Sequence, residues 1–296
     1  MGNPSDNKKG NDSVQKNVLL QFLGKQFKTY KLDTDIQKYI ESFLDGDGID
    51  LADEYLPTRL SRVCELASLY RANRQLKNIL NIVFFDDYEY SYFIATSSKV
   101  QNRRDLYDLI TLASDASCEE NACYVFYAIS YTDILQNSDA FLYLELLSKA
   151  SFDDKRTNAE YVYYFISNKA YLNHEYAYQI AECISASSGS LQAEAAYTFV
   201  CENIMRMSFC AMRVLGYISR AKNSVQLEAI TALYSLHKGE NEGLLLETIK
   251  SVASEEESEY LTQMMDVIRT AESLYSKSLK IKELVGQKRT RRPNDN

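Results

Sequence analysis

The chain has 296 residues, 46% apolar and 25% charged, with a formal net charge of −8, which is enough apolar material for a core well beyond the small-domain limit. Three prolines (Pro4, Pro57, Pro293) and ten glycines leave long stretches without a strong breaker. That excludes an all-β chain built on closely spaced turns and points to an all-α one.

Residues 1–15 read as a disordered arm, too polar to carry the apolar stretch of a secretory signal. Gly2 falls short of a myristoylation signal because Asp6 stands where Ser or Thr is wanted. An N-terminal helical region, 16–100, follows. It opens with helices over Val14–Tyr30 and Thr34–Leu44, the first with Val18, Leu19, Phe22, Leu23 and Phe27 at helical spacing. The run from Asp45 to Asp50 has the look of a calcium loop, but Ile49 takes a ligand position and Leu56 replaces the bidentate Glu. Its simpler reading is a turn closed by Asp50 as a helix N-cap, with Asp53 and Glu54 in the favourable first turn. Residues 58–85 are predicted helical with a break near Asn73. The stretch from Ile82 to Phe93 fits two short strands or two helices, and the surrounding helical signal favours helices.

Beyond residue 101 the chain becomes periodic. Segments beginning at Ala122, Ala159, Ala193 and Leu227 align at spacings of 37, 34 and 34, and a weaker fifth copy begins at Leu261. Ahead of each copy runs a second periodic segment. These end Leu112-Ala113-Ser114, Leu147-Ser148-Lys149, Ile184-Ser185-Ala186, Ile218-Ser219-Arg220 and Val252-Ala253-Ser254, at spacings of 35, 37, 34 and 34. Two markers keeping step over five units imply a repeated helical hairpin, in which no unit buries its apolar face alone. Alanine at three of the aligned starts lets neighbouring helices approach closely.

The run Val214–Leu233, VLGYISRAKNSVQLEAITAL, resembles a degenerate HEAT-type repeat. The spacing lies nearer the tetratricopeptide length, although the Trp, Gly and Pro of that signature do not recur. The resemblance covers residues 101–276 and implies an all-α, right-handed α-solenoid of about five stacked hairpins in 102–275, with the second helices lining a concave face.

Six scattered cysteines read as small buried hydrophobes in a reducing, cytoplasmic setting rather than as a disulfide framework. The two histidines, His174 and His237, fall at a turn and near a helix end, with no motif placing a carboxylate beside them. Cys118 and Cys123 lack a second ligand pair at zinc spacing. Glu255, Glu256 and Glu257 read as a solvated turn. No phosphate-binding, dinucleotide-binding, nucleophile-elbow or zinc-protease motif occurs. No catalytic residue, cofactor or metal is therefore expected, and no stretch of about 18 apolar residues suggests a membrane span.

Two features point to function. The chain holds 23 tyrosines, crowded at 124–178, where a large ring with a polar tip suits a binding surface. Tyr127, Tyr131, Tyr163, Tyr164 and Tyr171 are the candidate partner-binding residues. The second feature is the tail, 277–296, with seven basic residues against Glu283 and Asp295, which leaves −13 on residues 1–276. Lys288, Arg289, Arg291 and Arg292 are candidate polyanion contacts, though no aromatics are interleaved for base stacking. The expected role is a scaffold or adaptor for a protein partner, and the alternative is a nucleic-acid-associated factor acting through the tail.

Overall fold

The computed structural model describes residues 4–86, 88–153, 156–237 and 242–254, together with 266 and 270. Every regular element among them is helical, apart from an isolated antiparallel bridge between Phe152 and Thr157. The chain divides into two compact units, residues 1–149 and 150–296.

The first unit begins with α1 (Pro4–Tyr30) and α2 (Thr34–Ser42), which runs into a 3-10 turn at Phe43–Asp45. The disordered arm read over 1–15 is thus corrected: α1 starts at Pro4, ten residues before the apolar periodicity. Proline tolerates a first helical turn, and the polar stretch after it contains no further breaker. Asp33 caps α2, its carboxylate accepting from the Ile36 N–H. Asp50 caps nothing. Its carboxylate closes a local turn on the Ala52 N–H, and Asp53 does the same for Tyr55. Helix α3 (Leu56–Leu69) begins only at Leu56, because Pro57, which has no N–H to donate, is suited to a first turn and not to the interior that Asp50 would require.

Then come α4 (Leu76–Phe85), α5 (Tyr90–Thr96), α6 (Leu106–Ser114), α7 (Glu119–Ser130), the one-turn α8 (Thr132–Leu135) and α9 (Ala140–Ser148). Helices, not strands, therefore flank Asp86, and a tight turn stands at Asn73. Within this unit α3, α5 and α7 pack against one another in sequence order, and so do α4, α6 and α9. The alternating order of the two sets continues the 34-residue period back into the N-terminal region, where Phe93 precedes Tyr127 by 34.

The second unit holds α10 (Ala159–Ser167), the one-turn α11 (Lys169–Leu172), α12 (Ala177–Ser185), α13 (Ser190–Asn203) with a 3-10 turn at Ile204–Arg206, α14 (Phe209–Ile218), α15 (Ser224–His237) and α16 (Glu242–Ser254). Here α10, α13 and α15 form one set in contact, and α12, α14 and α16 the other. The fifth copy from Leu261, the acidic run 255–257 and the basic segment 277–296 lie outside the described residues.

The core follows from the register. Counting from each aligned start, the third, sixth and seventh following residues are buried in every copy: Val125, Ala128 and Ile129 in α7, Val162, Phe165 and Ile166 in α10, Ala196, Phe199 and Val200 in α13, Ile230, Leu233 and Tyr234 in α15. This is the apolar stripe of a helix packed on one side. The residue just before each start is polar yet buried: Asn121, Asn158, Gln192 and Gln226. Each side-chain amide reaches the C-terminal carbonyls of the following first helix. Asn121 Nδ2 donates to Ser148 O at 3.2 Å, Asn158 to Ser185 O at 3.2 Å and Ser187 O at 2.8 Å, Gln192 Nε2 to Ala221 O at 2.9 Å, and Gln226 to Val252 O and Ala253 O at 3.0 Å each. Carbonyls that a helix end leaves without intrahelical partners thereby gain donors from the neighbouring hairpin.

Candidate functional site

The exposed side of the second helices carries the aromatic residues. Four and five residues after each aligned start, the side chains face away from the core stripe. In the first unit these positions hold Tyr92 and Phe93 on α5, then Phe126 and Tyr127 on α7. Phe93 is 38% exposed and Tyr127 45%. The rings form a chain of tilted contacts, Phe93 to Phe126 at 6.0 Å, Phe126 to Tyr127 at 5.9 Å and Tyr127 to Tyr124 at 6.0 Å between centroids.

One end of this patch is held by Arg62 of α3, which lies 4.8 Å above the Tyr92 ring and 2.6 Å from the Glu89 carboxylate. The bond between them lowers the Glu89 carboxyl and raises the guanidinium. Glu89 itself sits in the left-handed region at φ 62°, uncommon for a residue with a side chain. Burial, and then a hydrogen bond to Glu65, push the Tyr92 phenol up to about 12.

In the second unit the same positions hold Tyr163 and Tyr164 on α10 and Tyr197 on α13. Tyr164, 44% exposed, lies 6.2 Å from Tyr197 and 6.3 Å from both Tyr161 and Tyr163. Its phenol is raised first by its hydrogen bond to Glu160, at 2.8 Å. Tyr161 is only 6% exposed. Its hydroxyl accepts from Arg156 at 3.1 Å and donates to Glu194 at 3.1 Å. A neutral phenol can do both at once.

Of the sequence candidates, Tyr163 and Tyr164 belong to this cluster, and Tyr127 belongs to the cluster of the first unit. Tyr131 stands exposed just past the end of α7. Tyr171 is on the short α11, stacked on the core residue Phe165 at 5.7 Å, and does not join the exposed rings. His174 uses Nδ1 to accept the Tyr176 N–H and closes a turn. Lys288, Arg289, Arg291 and Arg292 fall outside the described residues.

A feature the sequence reading passed over is a groove of about 490 Å³ between α13 and α15. Leu191, Phe199 and Leu227 make its apolar part, and Glu194, Glu202 and Glu228 its carboxylates. Its only signal in the sequence was that Glu160, Glu194 and Glu228 hold the same place, one residue after the aligned start.

Nothing in the described residues assembles an acid–base or nucleophile pair. Burial pushes the Cys64 thiol up to about 12 and raises Cys183 and Cys210 as well, which holds these sulfurs protonated and unreactive at neutral pH. Among the described residues no three His, Cys, Asp or Glu side chains are grouped to hold a metal ion, and no helix is long and apolar enough to cross a membrane. Chemically, the arrangement offers aromatic faces, phenol donors and carboxylates on one set of helices. No family model matches the chain, and no curated protein or solved structure matches it.

Proposed function

We propose that the chain is a cytoplasmic protein–protein interaction scaffold, an α-solenoid of HEAT-like hairpins that holds a protein or peptide partner on its second-helix surface. The observation that carries this reading is the retention of large exposed rings at one register position, Phe93, Tyr127 and Tyr164, on helices whose other faces are fully buried. Rings in exposed clusters bring much contact area at small entropic cost, which is why tyrosine is favoured where proteins meet. Their flanking residues are held in place, by Arg62 and Glu65 around Tyr92 and by Glu160 at Tyr164, so less ordering is required on binding.

Photo-crosslinking tests the proposal. A benzophenone amino acid placed at Tyr127 or Tyr164 in the full chain should give a defined protein adduct in native lysate, insensitive to nuclease. The same probe at Glu145 or Glu182, exposed on the first helices, should not. Adducts no stronger than those at the control positions would refute the reading. Adducts lost on nuclease treatment would favour a nucleic-acid-associated role instead and direct attention to Lys288, Arg289, Arg291 and Arg292.

A further inference from the structure

The groove between α13 and α15 suggests which partners the second unit takes. Its residues supply three carboxylates and no Lys or Arg, and its apolar part is half-open, with Leu191 49% exposed beside the buried Phe199 and Leu227. One turn of the repeat away, the chain shows how this surface treats a cation. The guanidinium of Arg156 donates to the Tyr161 hydroxyl at 3.1 Å and lies 3.9 Å from Glu194 Oε2. It is thus placed between a phenol of α10 and a carboxylate of α13.

The next step along the same register, from α13 to α15, repeats the carboxylates as Glu194, Glu202 and Glu228 and supplies no cation among the described residues. At an acidic surface with a net −13 on residues 1–276, attraction falls on a positively charged segment. The apolar part asks for one aliphatic or aromatic side chain beside that charge, since a cation alone leaves it facing water.

We infer that this groove is the docking site for a basic linear segment of a partner protein, with an Arg or Lys set between Glu194, Glu202 and Glu228 and a neighbouring apolar side chain seated on Leu191, Phe199 and Leu227. The inference rests on the scaffold reading and names the partner class for the second unit. The crosslinks at Tyr127 and Tyr164 test that reading without altering the groove, so the two can fail separately.

The experiment is fluorescence anisotropy on the full chain with a fluorescein-labelled probe, Gly-Arg-Leu-Arg-Ser-Arg-Leu-Arg-Gly. Two counter-probes are used, one with every arginine replaced by glutamate and one with both leucines replaced by serine. The basic probe should bind saturably at one site, weaken steeply as salt rises, and outcompete both counter-probes by tenfold or more. The combined Glu194→Gln, Glu202→Gln and Glu228→Gln variant should lose at least tenfold in affinity while its thermal melt stays within a few degrees. A matched variant, Glu175→Gln, Glu182→Gln and Glu247→Gln, removes the same charge from exposed positions off the groove and should bind like the parent.

Equal loss in the two variants would mean diffuse attraction to an acidic body and would overturn the site. So would unchanged binding in the groove variant, or serine and leucine probes of equal affinity. A tenfold gain on neutralising Arg289, Arg291 and Arg292 to glutamine would mean that the chain's own basic segment holds the groove, which overturns its assignment to a partner.

Discussion

Substituting Asn158 by alanine tests whether the buried amides tie successive hairpins together. Asn158 is fully buried, and its Nδ2 donates to Ser185 O and Ser187 O beyond the end of α12. Ser185 O also accepts the Ser151 N–H at 3.1 Å, so it retains a donor in the variant, whereas Ser187 O loses the Asn158 amide. Two neutral hydrogen bonds contribute about 0.5–1.5 kcal/mol each, and a buried carbonyl left without its donor adds about 1–3 kcal/mol. Allowing for overlap between these terms, the expected loss is about 2–4 kcal/mol. In a unit of this size that lowers the melting temperature by roughly 6–12 °C.

Urea titration followed by circular dichroism should show a lower midpoint with the slope unchanged, the sign of lost stability rather than altered compactness. Asn158→Asp sharpens the test. At neutral pH it faces a carboxylate toward two carbonyl oxygens, so it should cost more than alanine. The introduced acid is favoured protonated in the folded state, so part of the loss should be recovered as the pH falls into the carboxylate range. A loss under about 0.5 kcal/mol for the alanine variant, or an aspartate variant no worse than alanine at pH 7, would refute the reasoning.

The remaining predictions are read by the same unfolding assay. Tyr143→Ala, at a side chain 1% exposed, should cost about 3–5 kcal/mol as a large cavity forms, whereas Tyr127→Ala and Tyr164→Ala should stay within about 1 kcal/mol. A large loss at the exposed pair would mean that those rings are structural. Burial raises Tyr70 and Tyr143 to about 12, above the value near 10 expected in the unfolded chain. Their contribution is complete below pH 10 and is lost as the pH climbs toward 12, so the urea midpoint should fall across that window. A midpoint constant from pH 10 to 12 would count against their burial. Arg62→Ala removes the partner of Glu89 and the cation over Tyr92. It should cost about 1 kcal/mol, the partly exposed carboxylate limiting the effect, and the Glu89 share of that difference should vanish as the pH falls below the ordinary carboxylate range. An undiminished difference at low pH would assign the whole effect to ring packing.

What the sequence by itself determined is the helical class, the hairpin period and the core stripe of the second helices. All three are periodic signals: scarcity of Gly and Pro, a 34-residue spacing, and apolar residues such as Val125, Val162 and Ile230 recurring on one helix face. Helix starts were less legible. Asp50 is a good cap by type, but the chain spends it on a local turn because Pro57 places the helix start later, and α1 runs back to Pro4 through residues with no apolar pattern to announce them.

Tertiary structure alone decided the rest. Asn121, Asn158, Gln192 and Gln226 read as solvated polar residues, and only the approach of the following hairpin's carbonyls makes them interior. Tyr161 and Tyr164 are the same residue type one helical turn apart, yet the first is buried between Arg156 and Glu194 while the second stands half-open. Periodicity specifies which face of a helix turns inward. Which neighbour covers the edge of that face depends on contacts between segments about 30 residues apart, and no local pattern encodes them.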